Sequence, residues 1–354
     1  MDIAKIDKNF KFETKLNEPD LVWYDASKAP FVLYGMTEKY DGENYRRMPK
    51  DIGDNTSAGV KVLNYHTTGI RTKFCTDSPC IAIKVVYPQV DKMSHMPLTG
   101  NAGFDIYKVV SGKYFLAGAA RPEHSTSTDF ETIILKGNTA KNNFVLNFPL
   151  YNGVCKVYVG VKKGSVLDEP VKYINEKPVI FYGSSITQGG CATRPGNTYQ
   201  NFLSRELDMD YINLGFSGNA QGEQIMADFM AGLDMSVFVS DYDYNSITAE
   251  HLEATHYTLY ETIRKTHPDI PYIMVTLPTP NCCTGETWRR KIVMQSYIKA
   301  LDSGDKNVYF IDGDSLFAGS EYDACTVDIC HPNDMGFYRM ARGMMPILKP
   351  LLYK

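Results

Sequence analysis

The chain changes rhythm near its middle. Up to about residue 165 the apolar residues fall in short runs rich in β-branched and aromatic side chains, at 31–34, 81–87, 104–110, 132–135, 143–148 and 155–161. Gly, Asn, Asp and Pro separate these runs at spacings typical of antiparallel strands, and no helical period stands out among them. This half predicts an all-β, jelly-roll-like sandwich. After residue 178 short apolar runs at 179–182, 211–214, 236–240, 272–276 and 308–311 alternate with helical patterns at 198–207, 223–231, 249–266, 288–301 and 334–348. Strand and helix in alternation predict an α/β domain: a doubly wound, parallel five-stranded sheet covered by helices on both faces. The division expected is a sandwich domain over 1–168 and a second domain over 175–354. The polar stretch 163–177, with Pro170, joins them.

Length agrees with two domains, since 354 residues exceed one ordinary core. A net charge of −4 is mild and argues against a nucleic-acid partner, which favours a basic stripe. No run is long and apolar enough for a signal peptide or a membrane span, so the expectation is a cytoplasmic protein with no membrane partner. The eight cysteines (75, 80, 155, 191, 282, 283, 325 and 330) show no pair of CxxC elements. That spacing does not suggest zinc, and free thiols are expected. The 24 tyrosines suit either a sugar-handling surface or a Tyr-rich sandwich core.

In a doubly wound sheet, ligands bind beyond the carboxyl ends of the strands. The segments that follow the apolar runs are therefore where chemistry is expected. After the first comes Gly183-Ser184-Ser185-Ile186-Thr187-Gln188-Gly189. A serine between glycines at a strand end can be an exposed nucleophile with backbone N–H groups beside it, an ordinary turn, or a phosphate-binding loop. It lacks the Gly-Lys-Ser/Thr ending of a P-loop and the Gly-x-Ser-x-Gly of a nucleophile elbow. After the second comes Asn213-Leu214-Gly215-Phe216-Ser217-Gly218-Asn219, where glycine lets backbone approach a ligand. After the third comes Asp241-Tyr242-Asp243-Tyr244-Asn245. Asn245 offers a side-chain N–H to a developing negative oxygen. Asp241 and Asp243 could instead begin a metal site, but no matching His or carboxylate cluster accompanies them. Near the end comes Asp328-Ile329-Cys330-His331. A carboxylate three residues before a histidine can fold back, accept the ring N–H and fix the tautomer.

These four segments, in this order, resemble the blocks of the SGNH or GDSL hydrolases over residues 175–354. The resemblance implies a flavodoxin-like fold. It matches the family's serine, glycine, asparagine and Asp/His pair to Ser185, Gly218, Asn245 and Asp328/His331. Two blocks depart from the family pattern: Ser184 replaces the Asp of Gly-Asp-Ser, and Asp-Tyr-Asp-Tyr-Asn replaces Gly-x-Asn-Asp. Gly103-Phe104-Asp105-Ile106-Tyr107 is similar to the Gly-x-Asp-Leu-Tyr signature of a subgroup with a β-sandwich before the hydrolase domain.

The resemblance implies a serine esterase with Ser185 as nucleophile, His331 as base and Asp328 as its orienter. The oxyanion hole would be formed by the N–H groups of Ser185 and Gly218 with the Asn245 amide, and no cofactor or metal is called for. Small acyl groups, acetyl first, on a carbohydrate or similar polar alcohol are the expected substrates. The alternatives are an acyltransferase using the same triad and a non-catalytic carbohydrate-binding protein. Arg194, Tyr242 and Trp288 are the candidate substrate contacts. The sandwich is open to three roles: carbohydrate binding, completion of the active-site rim, or formation of a homo-oligomer. Residues 93–98, containing His95 and Met96 just before the second signature, are the loop that could reach the cleft.

Overall fold

The computed structural model describes residues 16–123, 128–278, 287–319 and 321–353. The first half is a sandwich of two antiparallel sheets. Its strands are β1 (Leu21–Asp25), β2 (Val32–Tyr34), β3 (Arg71–Thr76), β4 (Cys80–Val86), β5 (Phe104–Val110), β6 (Lys113–Ala120), β7 (Asp129–Lys136), β8 (Asn142–Asn147), β9 (Lys156–Lys162) and β10 (Leu167–Asp168). One sheet runs β1-β9-β4-β7, the other β10-β3-β8-β5-β6, with β2 added to β3. Alternate residues point inward, as a strand period of two requires. Ile81, Ile83 and Val85 of β4 and Val157, Val159 and Val161 of β9 meet Phe74, Phe104, Ile106, Phe144 and Leu146 from the facing sheet.

Short helices depart from the all-β expectation, among them Lys50–Thr56 and Ala58–Leu63. The Ser57 side chain caps the second by accepting the Val60 N–H. Six or seven residues are too few for a helical period to stand out in the sequence. Apolar residues of this segment pack into the other half: Met48 and Val60 share a core with Ile212, Leu214 and Phe216, and the partly buried Ile52 and Leu63 pack against it. Residues 48–63 thus belong to the sandwich half in chain order and to the core of the following half in packing. The joining segment is also more ordered than its polarity suggests. It contains β10, paired to β3, and its end is already the start of the next strand.

That strand, β11 (Asn175–Gly183), leads β12 (Met209–Gly215), β13 (Val237–Asp241), β14 (Tyr272–Val275) and β15 (Val308–Ile311). All pairings are parallel, in the order β12-β11-β13-β14-β15. Successive residues of β11 face opposite helical layers. Ile180 and Tyr182 pack with the helices Gln224–Ala231, Ala249–Thr266 and Thr287–Asp302; Val179 and Phe181 pack with Tyr199–Leu207 and Asp334–Leu352. Burial on both faces explains why these strands read as continuous apolar runs.

Among the described residues no helix is long and apolar enough to cross a membrane. Cys75, Cys80, Cys155, Cys191, Cys325 and Cys330 are free thiols. Cys282 and Cys283 lie outside the described residues.

Candidate active site

The sheet gathers the four segments at its carboxyl edge. β11 ends at Gly183 and the chain turns into one helical turn, Ser185–Gln188. Ser184 is the N-cap of that turn, its hydroxyl accepting the Ile186 N–H at 3.2 Å. Serine is a good substitute for aspartate in that role. Ser185 itself is only 5% exposed. Its Oγ lies 2.9 Å from His331 Nε2, and His331 Nδ1 lies 2.7 Å from Asp328 Oδ2. Asp328 accepts at Nδ1 and holds a proton there, so in the neutral ring it is Nε2 that is open to accept the serine proton.

The loop carrying the histidine is shaped locally. Asp328 Oδ1 accepts the backbone N–H of Cys330 (3.1 Å) and of His331 (2.6 Å). This tight turn requires Ile329 at φ 71°, an uncommon conformation for a β-branched residue. Asn333 then caps the closing helix by accepting the Met335 and Gly336 N–H groups. Burial raises the Asp328 pKa, but the two N–H groups and the His331 ring outweigh it and hold the carboxyl below the usual range. A hydrogen bond with the Cys330 side chain first, and Asp328 after it, push His331 up to about 9 against the opposing effect of burial. Gly190 passes close by. A Cβ there would stand 2.9 Å from Tyr151 Oη and 3.2 Å from the His331 ring, so only glycine leaves room.

The second segment presents a free donor. Gly218 has φ 67° and open space where a Cβ would be. The neighbouring peptide groups are all engaged. Phe216 N–H donates to Gly183 O (2.8 Å), and Phe216 O accepts from Asn219 N–H (2.8 Å) and Ala220 N–H (3.1 Å). Ser217 N–H donates to Gln188 Oε1 (2.9 Å), and Ser217 O accepts from the Asn219 amide (2.7 Å). Among the described residues the N–H groups of Ser185 and Gly218 find no acceptor. In the third segment Asn245 Nδ2 donates to Phe216 O at 2.9 Å. That bond aims the amide at the same loop and leaves its second hydrogen for another acceptor. Three donors beside a serine held by a base can stabilise the oxyanion of a tetrahedral intermediate.

The aspartates before Asn245 have protein partners. Asp241 Oδ2 accepts from Thr187 Oγ1 (3.0 Å) and Tyr199 OH (3.2 Å), and burial, reinforced by Asp243, pushes its pKa well above the usual range. Asp243 Oδ2 accepts the Leu277 N–H at 3.1 Å.

The three candidate substrate contacts each have partners within the protein. Arg194 Nη1 donates to Asp105 Oδ2 at 2.9 Å and also to Tyr107 OH, both in the second signature. Asp105, fully buried, also accepts Gly196 N–H (2.7 Å) and Asn147 Nδ2 (2.8 Å). The Gly-Phe-Asp-Ile-Tyr signature is therefore a clasp between the two halves, and Arg194 is its cation. Tyr242 corrects the expectation of a sugar-stacking ring. It is fully buried between Tyr182 and His256, with its OH donating to Thr255 Oγ1 at 3.0 Å. The register of the third segment points it into the core. Trp288 is half-buried at the start of Thr287–Asp302, packed on the helical core with the Arg289 guanidinium 4.1 Å from its ring centre.

Other residues enter the site without a motif to announce them. His95, exposed in the 93–98 loop, has its ring 5.9 Å from the His331 ring, and the adjacent Met96 is buried with Ile186 and Tyr151. Tyr151 OH donates to Ser185 O at 3.1 Å. Gln188 Nε2 lies 3.1 Å from His66 Nδ1, and burial first, with Arg47 second, pushes His66 down to about 3, so its ring is neutral and accepts this bond. His66, His95, Met96 and Tyr151 come from the sandwich half, Tyr151 34 residues before the nucleophile and the others farther. Only the 93–98 loop gave a signal in the sequence, by lying next to the signature.

The GDSL-like lipase/acylhydrolase family model matches residues 176–349, and the model for the N-terminus of SGNH-hydrolase-type esterases, called GxDLY, matches residues 21–167. No curated protein matches the chain. Among solved structures, the chain is similar to a Bacteroides ovatus ATCC 8483 protein described as a GDSL-like lipase, with 28% identity and a TM-score of 0.83 over 94% of this chain and 98% of that one. It is also similar to the salicylyl-acyltransferase SsfX3 of a tetracycline biosynthetic pathway (18%, TM-score 0.76, 95% and 98%). A third is the acetyl xylan esterase Est2A of the rumen bacterium Butyrivibrio proteoclasticus (11%, TM-score 0.59, 94% and 99%). With both halves matched in order and the serine, glycine, asparagine and Asp/His segments gathered at one sheet edge, the chain belongs to the GDSL-like lipase/acylhydrolase family, in the group whose hydrolase domain follows a GxDLY-type N-terminus.

Proposed function

We propose that the protein is a serine esterase that removes small acyl groups, acetyl foremost, from an esterified carbohydrate or similar polar alcohol. The observation that carries this reading is the Ser185–His331–Asp328 relay at 2.9 and 2.7 Å beside two backbone N–H groups that find no acceptor among the described residues. Ser185 Oγ attacks the ester carbonyl carbon as its proton passes to His331 Nε2. The oxyanion is held by Ser185 N–H, Gly218 N–H and the free Asn245 amide hydrogen; each such donor is worth roughly 3–4 kcal/mol in the transition state. The intermediate then expels the alcohol, which takes its proton from His331, and leaves an acyl-Ser185. Water, deprotonated by His331, reverses the sequence and releases the acid.

The alcohol departs on the His331 side, where His95 of the sandwich half stands, so that half contributes to the rim. Support for a carbohydrate comes from the acetyl xylan esterase and from a Clostridium thermocellum family two carbohydrate esterase in complex with cellohexaose. Similarity to an acyltransferase favours a second reading, in which an alcohol takes the place of water. The test is hydrolysis of 4-nitrophenyl acetate and of acetylated oligosaccharides, with and without added alcohol acceptors. Ser185→Ala and His331→Ala should abolish turnover, and a fluorophosphonate should label Ser185. Ser184→Ala should keep most activity at a cost of about 1 kcal/mol of stability from the lost cap. Labelling of Ser184, or full activity in Ser185→Ala, would overturn the assignment.

A further inference from the structure

The sandwich half inserts one residue beneath the loop that carries the Gly218 donor. Arg47 is 0% exposed. Its Nη1 donates to two backbone carbonyls at the end of β12, Asn213 O at 3.0 Å and Gly215 O at 2.6 Å. Its Nη2 donates to Leu63 O at 2.6 Å, at the end of the helix Ala58–Leu63. The guanidinium lies over the Phe216 ring, 4.4 Å from its centre. Among the described residues no carboxylate pairs with it and its Nε has no acceptor. Burial pushes its pKa down to about 9, which leaves it charged at neutral pH.

A buried, unpaired guanidinium is costly, and a core of this kind is ordinarily built from apolar residues. What it does here is decided by the peptide groups around it. The Gly215 carbonyl points at Arg47, so the N–H of the same peptide, on Phe216, points the other way and donates to Gly183 O at 2.8 Å. Gly183 is two residues before Ser185. The peptide unit is thus clamped between the sandwich half and the strand that bears the nucleophile. Gln188 holds the next N–H, that of Ser217, and Gln188 is in turn held by His66 of the sandwich half. The Asn219 side chain closes on Gly59, where a Cβ would stand 1.9 Å from Asn219 Oδ1. With these groups fixed, the Gly218 N–H is the donor left over.

We propose that Arg47 is a positioning residue for the oxyanion hole: its fork holds the 213–218 loop at the register in which the Gly218 N–H meets the oxyanion formed at Ser185. This rests on the esterase reading above. It makes the sandwich half a part of the catalytic apparatus, acting through the loop and touching no substrate.

The experiment compares Arg47→Met and Arg47→Lys with the wild-type protein, using 4-nitrophenyl acetate and its thiono counterpart. A thiocarbonyl sulfur accepts hydrogen bonds poorly, so preference for the oxygen ester reports the oxyanion hole itself. Arg47→Met should lower kcat at least tenfold with KM within twofold, and should erase most of the oxygen-over-sulfur preference, because only transition-state binding is lost. Lysine cannot span carbonyls on both sides as the fork does. Arg47→Lys should therefore lose at least threefold of the preference, and it carries the test if the methionine variant fails to fold. A loss that lowers both esters equally, or a folded variant within threefold of wild type on both counts, overturns the proposal. Absence of ester turnover in the wild-type protein would instead refute the esterase reading.

Discussion

Arg194→Ala tests the clasp between the halves. The substitution removes the cation from Asp105, which is 0% exposed. Asp105 would keep Asn147 Nδ2 at 2.8 Å and Gly196 N–H at 2.7 Å, both neutral donors. Breaking a buried ion pair by deleting one partner costs about 3–5 kcal/mol, because the remaining charge stays buried. The Arg194 side chain keeps 20% of its surface in solvent, so water will partly replace it and the lower end, about 3 kcal/mol, is expected. Adding Asp105→Asn should neutralise the stranded charge, so the double variant should be more stable than Arg194→Ala alone by about 1 kcal/mol. The assay is urea unfolding of the four proteins, followed by far-UV circular dichroism and by tryptophan fluorescence. The second probe is useful because Trp23 lies in β1 of the sandwich and Trp288 in the hydrolase half. Should Arg194→Ala cost under about 1 kcal/mol, or should the two substitutions simply add, the clasp contributes little and the reasoning from burial is wrong.

Two further outcomes are expected. His331 is pushed up to about 9, so at pH 7 the ring is mostly protonated and only a minor fraction is in the neutral form that accepts the serine proton. The acid limb of kcat/KM should therefore have its midpoint on the alkaline side, and Cys330→Ala should move it down toward the ordinary 6.5. Because the folded value is the higher one, His331 stabilises the fold fully below about 6.5 and loses that contribution as pH rises through about 9. The stability deficit of Cys330→Ala should accordingly fade in alkali, and an unmoved limb would show that the thiol does not act on His331. Finally, acetate should be preferred in a series of 4-nitrophenyl esters up to octanoate. Ser185 is only 5% exposed, and the adjacent Ile186 is locked in the core with Met96 and Tyr151. Each unaccommodated methylene loses about 0.8 kcal/mol, so two should cut kcat/KM about tenfold. Faster cleavage of butyrate or octanoate would point to an acyl pocket that these residues do not suggest.

Much of this protein is written in local pattern. The alternation of apolar runs with helical periods determined the parallel sheet, because strands such as β11 are buried on both faces and read as unbroken apolar stretches. The gathering of the candidate site followed from it, since a doubly wound sheet delivers whatever follows its strands to one edge, here Ser185, Gly218, Asn245 and the short-range pair Asp328/His331. What pattern could not determine was the direction in which a single side chain points. Tyr242 lies one residue past β13 and turns into the core, and Arg194 turns back toward Asp105, 89 residues away in the chain. The helices at 50–63 were too short to show a period, and their partners lie far along the chain. Arg47 is the plainest case. Its partners are backbone carbonyls, which every sequence supplies alike, so no residue type 166 or 168 positions away could have marked Asn213 O or Gly215 O as the groups it would hold. Contacts of that kind come into being only when the two halves close on each other.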